Sequence, residues 1–154
     1  MVKKNSNLPG KQTIVGWREW VALPDLGIDK IKAKIDTGAR TSALHAFNVK
    51  ARQVNGNYHI RFKIHPLQKN KTTVLACKAT MIDKRWVTDS GGHRELRFVI
   101  QTPITIGGMS WPIEITLTNR DTMGFRMLLG RTAMNKRLIV DPSRSYLTAD
   151  GLDN

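Results

Sequence analysis

The amino-acid sequence predicts an all-β fold, a closed barrel of short strands with one short helix toward the C-terminus. Three observations carry the prediction. Apolar and polar residues alternate over many short runs, the pattern of strands with one face buried. Turn-forming clusters such as Asn55-Gly56, Asp89-Ser90-Gly91-Gly92 and Gly107-Gly108 punctuate those runs. A single segment, Thr132 to Arg137, reads as helical.

Residues 1–12 are polar and basic and contain Pro9-Gly10, which predicts a disordered tail. Residues 13–150 carry no repeat, low-complexity stretch or linker, so one domain is expected. A chain of 154 residues is long enough to bury a core. Ile14 to Leu23 reads as a strand, Pro24 to Gly27 as a turn and Ile28 to Ile35 as a second strand. In that second strand Ile31, Ala33 and Ile35 share one face, and Lys32 and Lys34 the other. Ser42 to Ala46 suits either a brief helical turn or the bend of a loop.

The clearest hairpin follows. Phe47 to Val54 leads into Asn55-Gly56, a dipeptide that accepts the positive backbone angles of a tight turn. Tyr58, Ile60, Phe62 and Ile64 then form an apolar face, with His59, Arg61, Lys63 and His65 opposite. A strand is expected from Thr72 to Met81, after a polar loop. A second hairpin over 83–99 places Asp89-Ser90-Gly91-Gly92 at its tip. Strands over 103–107 and 111–118 come next, then a loop from Asn119 to Gly124 and a strand over 126–129. The helix, a strand over 138–140 and an edge segment over 145–148 complete the chain.

Charge narrows the function classes. Twenty-five basic residues stand against 12 acidic ones, a formal net charge of +13. Such a field attracts polyanions: nucleic acid, anionic lipid or acidic protein segments. The lone cysteine, Cys77, cannot form an intrachain disulfide and is expected to be a buried, inert thiol. No apolar stretch approaches the roughly 18 residues of a membrane span. The basic N-terminus has no apolar run of a signal peptide behind it. A cytoplasmic protein away from membranes is the expectation.

One run stands apart. Ile31-Lys32-Ala33-Lys34-Ile35 brings an alternating strand into Asp36-Thr37-Gly38-Ala39-Arg40-Thr41-Ser42, and Met127-Leu128-Leu129-Gly130-Arg131 ends another apolar strand near the far end. An isolated Asp-Thr-Gly is what any tight turn prefers. In this order, the two runs resemble the paired signatures of retropepsin-type aspartic proteases. Longer matches, Ile35 to His45, Leu117 to Arg120 and Met123 to Arg131, resemble a bacterial branch of that family. The branch was formerly described as ATP-dependent zinc proteases, and it often accompanies ATP-grasp ligases that add glutamates to proteins.

The resemblance implies a homodimeric β-protein. Asp36 would be catalytic, Thr37 would help lock the two active-site loops, and Gly38 would let backbone approach substrate. Ser90-Gly91-Gly92-His93 would be the flap over the groove, and Leu129-Gly130 a structural motif ahead of Arg131. A carboxylate in a turn becomes such a catalyst when a second one stands within about 3 Å, because the pair then shares one proton. This sequence has one Asp-Thr-Gly. Asp89-Ser90-Gly91 has no apolar strand entering it in the manner of Ile35-Asp36, and too little chain follows it for a second lobe. The second carboxylate is therefore expected from another copy of the chain, across a two-fold axis.

Viral retropepsins usually carry an acid after Asp-Thr-Gly-Ala, where this sequence has Arg40. Arg131 then loses the partner that the resemblance implies and must look to Glu95, Asp121 or Asp141. Arg40, beside Ala39 and with Arg131, would make a basic wall of the substrate groove that suits Asp and Glu side chains, so acidic or glutamate-rich peptides are the expected substrates. A glutamate-ligase pathway supplies a natural partner. His45, His59, His65 and His93 are scattered without a zinc-binding spacing, and Gly107-Gly108 lacks the lysine and helix of a phosphate site. No metal or cofactor is expected.

Two other readings remain open. A non-catalytic peptide-binding module would keep the fold without the chemistry, and His93-Arg94-Glu95 brings unusual charge to the flap. A basic nucleic-acid-binding β-protein would need aromatic rings interleaved with cations. On the first hairpin, Lys50, Arg52, Arg61 and Lys63 face away from Tyr58 and Phe62. Trp17, Trp20, Trp86 and Trp111 are expected as core or interface anchors.

Overall fold

Alternation in the sequence becomes eleven strands, a 3-10 turn over Pro24–Leu26 and one short α-helix in the computed structural model, which describes residues 12–119 and 124–148. In chain order the strands are β1 (Thr13–Val15), β2 (Arg18–Leu23), β3 (Ile28–Ile35), β4 (Ser42–His45), β5 (Phe47–Val54) and β6 (Asn57–Ile64). Then come β7 (Leu75–Thr88), β8 (Arg94–Ile106), β9 (Met109–Thr118), β10 (Met127–Leu129), the helix α1 (Arg131–Met134) and β11 (Leu138–Val140). The fold is all-β.

Nine strands form one sheet in the order β2-β3-β10-β4-β9-β8-β7-β6-β5, and Ala22 of β2 also pairs with Thr105 of β8. That contact bends the first six strands into a ring. Length makes it possible: the first half of β8 pairs with β7, and its last residues reach β2 along the same edge. The ring encloses Ile31, Ile35, Leu44, Ile104, Ile115 and Leu129, all buried. β1 and β11 form a separate parallel pair.

Several expectations change. The first strand breaks at Gly16-Trp17, because the backbone of Arg144 packs directly on Gly16 and accepts the Trp17 N–H at 2.8 Å. Ser42 to His45 is a strand, neither a helical turn nor a bend. It pairs with β9 and β10 and buries Ser42 and Leu44. The strand expected over 72–81 runs on to Thr88, since an irregularity between Met81 and Asp83 absorbs the misfit without ending the pairing. Met109 and Ser110 belong to β9, leaving Gly107-Gly108 as a two-residue turn. The helix spans Arg131–Met134 and stops short of Arg137.

Residues 145–148 make no strand. They are held by a buried carboxylate: Glu19 accepts the N–H groups of Gly16, Leu147 and Thr148 and the Thr148 hydroxyl, at 2.6–3.1 Å. On β6, Ile60, Phe62 and Ile64 are buried as expected, whereas Tyr58 is exposed near the turn. The expected tail lies outside the described residues except for Gln12, as do residues 120–123 of the expected loop and residues 149–150.

Candidate active site

β3 ends at Ile35 and delivers Asp36 into a turn. Its carboxylate Oδ1 accepts the Gly38 N–H at 2.9 Å, and the Ala39 N–H reaches the Asp36 carbonyl at 3.2 Å. The turn is braced from the other end of the sequence. Parallel pairing sets Leu129 beside Ile35, and the Asp36 N–H donates to the Leu129 carbonyl at 2.9 Å. Gly130 packs so closely on the backbone of Arg40 and Thr41 that a Cβ there would lie 2.7 Å from the Thr41 carbonyl carbon. Its N–H donates to the buried Ser42 hydroxyl at 3.0 Å. The N–H groups of Arg131 and Thr132 cap the carbonyls of Ala39 and Arg40, and Arg131 Nη1 donates to the Thr37 carbonyl at 3.0 Å. Arg131 thus turns to the backbone of the Asp36 turn. Glu95 is engaged by Arg97 and Thr118, Asp141 by Ser143, and Asp121 lies outside the described residues.

The second Asp-(Ser/Thr)-Gly sequence sits at the tip of the β7–β8 hairpin. Asp89 Oδ1 accepts N–H groups from Gly91 and His93, each at 2.9 Å, with the His93 ring 3.4 Å away. Backbone bonds Asp89 N–H to His93 carbonyl and Gly92 N–H to Asp89 carbonyl close the turn. Gly92 has φ +85°, a conformation that favours glycine. This carboxylate is a turn acceptor.

Between the two turns lies a groove of about 520 Å³. Asp36, Gly38, Ala39 and Arg40 line one side, and the hairpin from Arg85 to Ser90 also lines it. Thr37, Gly91, Gly92, His93 and Arg131, expected at the site, lie outside this lining. Its floor includes Ala43, His45, Thr116, Thr118 and Leu128, from neighbouring strands. Arginines dominate its charge. Arg97 is buried, bonded to Glu95 at 2.6 Å and to the Thr116 hydroxyl at 3.4 Å. Arg85 meets Asp83 at 2.6 Å and Glu114 at 2.9 Å, and these contacts hold its proton more firmly while lowering the Asp83 pKa. Arg126 is buried, with Nε 3.3 Å from the Leu67 carbonyl. Arg40 is exposed and makes no ion pair among the described residues.

Ser42, Arg97 and Arg126 escaped the sequence reading. Charges at inward positions were the signal: Glu95 and Arg97 share the face of Val99, two residues apart along one strand. His45 and His65 are less scattered than expected, for their rings stack with centroids 6.3 Å apart and Phe47 lies 4.5 Å from His65. Among the described residues no three His, Cys, Asp or Glu side chains gather where they could hold a metal ion. Cys77 is buried, and burial raises its pKa to about 11. No helix among the described residues is long and apolar enough to cross a membrane.

Residues 14–150 match the model of a family described as RimB-like, retropepsin-like aspartic endopeptidase RimB. The chain belongs to this family. The two turn sequences, the Gly130-Arg131 brace and the β-rich ring are thereby features of a RimB-like chain. It is also 50% identical over 130 residues to a probable alpha-L-glutamate ligase of Desulfotalea psychrophila, covering 84% of this chain and 28% of the relative. A protein of the same name from Parasynechococcus marenigrum is 46% identical over 140 residues, covering 91% and 30%. The chain thus spans less than a third of the curated relatives it matches. Among solved structures, Lpg0085 of Legionella pneumophila, a protein of unknown function, superposes with a TM-score of 0.73 at 28% identity. That match covers 90% of this chain and 99% of the other.

Proposed function

We propose that this chain is one protomer of an aspartic peptidase that cleaves acidic, glutamate-rich peptide segments. The observation that carries the reading is the Asp36 turn, whose carboxyl lines a groove while Leu129, Gly130 and Arg131 hold its backbone from behind. Two copies related by a two-fold axis would set the Asp36 carboxyls within about 3 Å, where they share one proton. The ionised carboxyl takes a proton from water as its oxygen attacks the scissile carbonyl carbon. The protonated one gives its proton to the carbonyl oxygen. Collapse of the tetrahedral diol breaks the C–N bond, and the departing amine takes up a proton from the dyad. Thr37, exposed at the outer end of the turn, would meet its counterpart across the axis, and Ser90 to His93 would close over the substrate.

Substrate charge follows from the groove. Arg85 and Arg97 have internal carboxylate partners and Arg126 is buried against the Leu67 carbonyl, so the exposed Arg40 is best placed to meet a ligand carboxylate. Relatives named as glutamate ligases make glutamyl chains a fitting substrate, with this module hydrolysing what ligation builds.

The test is cleavage of a peptide library that includes acidic sequences, by wild type and Asp36→Asn, with and without a chelator. Activity that survives the chelator and disappears in Asp36→Asn is the expected result. Activity lost to the chelator but kept in Asp36→Asn would overturn the mechanism. Arg40→Ala should erase the preference for acidic over neutral peptides at low salt, and sedimentation should show a dimer.

A further inference from the structure

A second basic surface lies outside the groove, on the outer face of the β2–β3 ladder. Antiparallel register pairs Arg18 with Lys34 and Trp20 with Lys32, and period-two alternation puts Lys30 on the same side. The opposite face of the ladder buries Val21, Ile31 and Ala33 in the core, which fixes these cations outward. No ion pair engages Arg18, Lys30, Lys32 or Lys34 among the described residues.

Aromatic rings hold Arg18, Lys30 and Lys32 in place. Arg18 lies 4.6 Å from the ring centroid of Trp17 and 4.9 Å from that of Tyr146. Lys30 Nζ sits 4.2 Å from the Trp20 ring, and Lys32 Nζ 5.1 Å from it. Tyr146 stacks on Trp20 with centroids 6.1 Å apart. Rings that fix cations reduce the ordering cost when an anion arrives. Behind the face, Arg18 Nε and Trp20 Nε1 are buried without a hydrogen-bond partner.

The same face opens into a hollow of about 410 Å³ beside Trp20 and Lys32, walled by Pro66 to Lys69 and Arg126. That wall is fastened, since Arg126 Nε donates to the Leu67 carbonyl at 3.3 Å and Gln68 donates to the Gly124 carbonyl at 3.1 Å. Arg126 lines both this hollow and the Asp36 groove. Lys30, Lys32 and Lys34 therefore form a row along β3 that runs toward Asp36.

We infer that this face is an exosite for an acidic polypeptide, which binds a carboxylate-rich segment away from the bond to be cut. Alternate residues of a strand repeat at about 6.6–6.8 Å, so the lysine row matches alternate carboxylates of an extended peptide. Single-stranded nucleic acid would use free ring faces for base stacking. Here Trp17, Trp20 and Tyr146 are engaged with cations and with one another, which favours carboxylate recognition. Only the link from exosite to scissile bond rests on the proposed peptidase activity; binding itself does not.

The experiment measures binding of a fluorescent oligo-glutamate peptide to the full chain carrying Asp36→Asn, so that turnover cannot interfere. Adding Lys30→Gln/Lys32→Gln should weaken binding about tenfold at low salt, the order expected for two exposed charge pairs. Lys50→Gln/Arg52→Gln, an equal loss of exposed charge on β5, should change it less than twofold, about the scatter of surface substitutions. Equal losses from both pairs, or none from Lys30/Lys32, would overturn the exosite, as would absence of binding. So would tighter binding of a single-stranded oligonucleotide with the same Lys30/Lys32 dependence, which would assign the face to nucleic acid. In an otherwise wild-type chain, Lys30→Gln/Lys32→Gln should leave cleavage of a short peptide unchanged. An inactive wild type that still binds the peptide through this face would remove the peptidase reading and leave the exosite standing.

Discussion

Asp36-Thr37-Gly38 and Asp89-Ser90-Gly91 are nearly the same tripeptide and fold into the same local shape. In each, aspartate Oδ1 accepts the glycine N–H at 2.9 Å, and each aspartate lines the same groove. They differ in what stands behind them. The Asp36 turn is backed by β10 and the start of α1, through backbone bonds to residues some ninety positions away. The Asp89 turn is closed by bonds to Gly91, Gly92 and His93 of its own hairpin. A local motif makes the turn, and long-range bracing makes it rigid enough to aim a carboxyl.

Neutralising each aspartate in turn should separate the two turns most widely. Asn preserves the turn acceptor at both positions. Asp36→Asn should lower kcat/KM by about a thousandfold, within the range for loss of an acid–base group, while Asp89→Asn should stay within about threefold. Comparable losses from both, read by peptide-cleavage kinetics, would mean the two turns share the chemistry.

The glycines come next. Gly130→Ala drives a methyl into the backbone of Arg40 and Thr41 and should cost about 3 kcal/mol, seen as a lower midpoint in urea. Gly91→Ala meets the exposed ring of His93 at 3.2 Å and should cost less than about 1 kcal/mol.

The smallest effect concerns where β7 is anchored before it runs out to the Asp89 tip. Burial lifts the Cys77 pKa from 9.0 to about 11, so the folded state holds this proton where the unfolded chain releases it. The corresponding stability is complete below pH 9 and is lost as pH rises toward about 11. Cys77→Ala should flatten that alkaline limb in denaturation curves. The same thiol should resist alkylation until the chain unfolds.

The Asp36 motif and its distant Gly-Arg partner were legible because each is a contiguous run with a fixed order. Hairpins were legible where Asn55-Gly56 or Gly107-Gly108 dictates backbone angles. What stayed hidden depends on pairing across the sheet. Ser42 to His45 is too short to announce itself and becomes a strand only because β9 and β10 flank it. The break at Gly16 likewise comes from Arg144, at the other end of the chain. The β2–β3 surface was half visible. Its lysine alternation is in the sequence, but the aromatic rings that hold Lys30 and Lys32 arrive from Trp20 on the neighbouring strand and from Tyr146, a residue far along the chain.

Glu19 acts as a latch on time as well as on structure. Its donors lie 3, 128 and 129 residues away, so the cost of burying the carboxylate is fully offset only once residues 147 and 148 have docked. Contacts of such span form late in folding and slow it. The amides of Gly16, Leu147 and Thr148 should therefore exchange with solvent deuterium as one group, released together by a single opening that exposes Glu19.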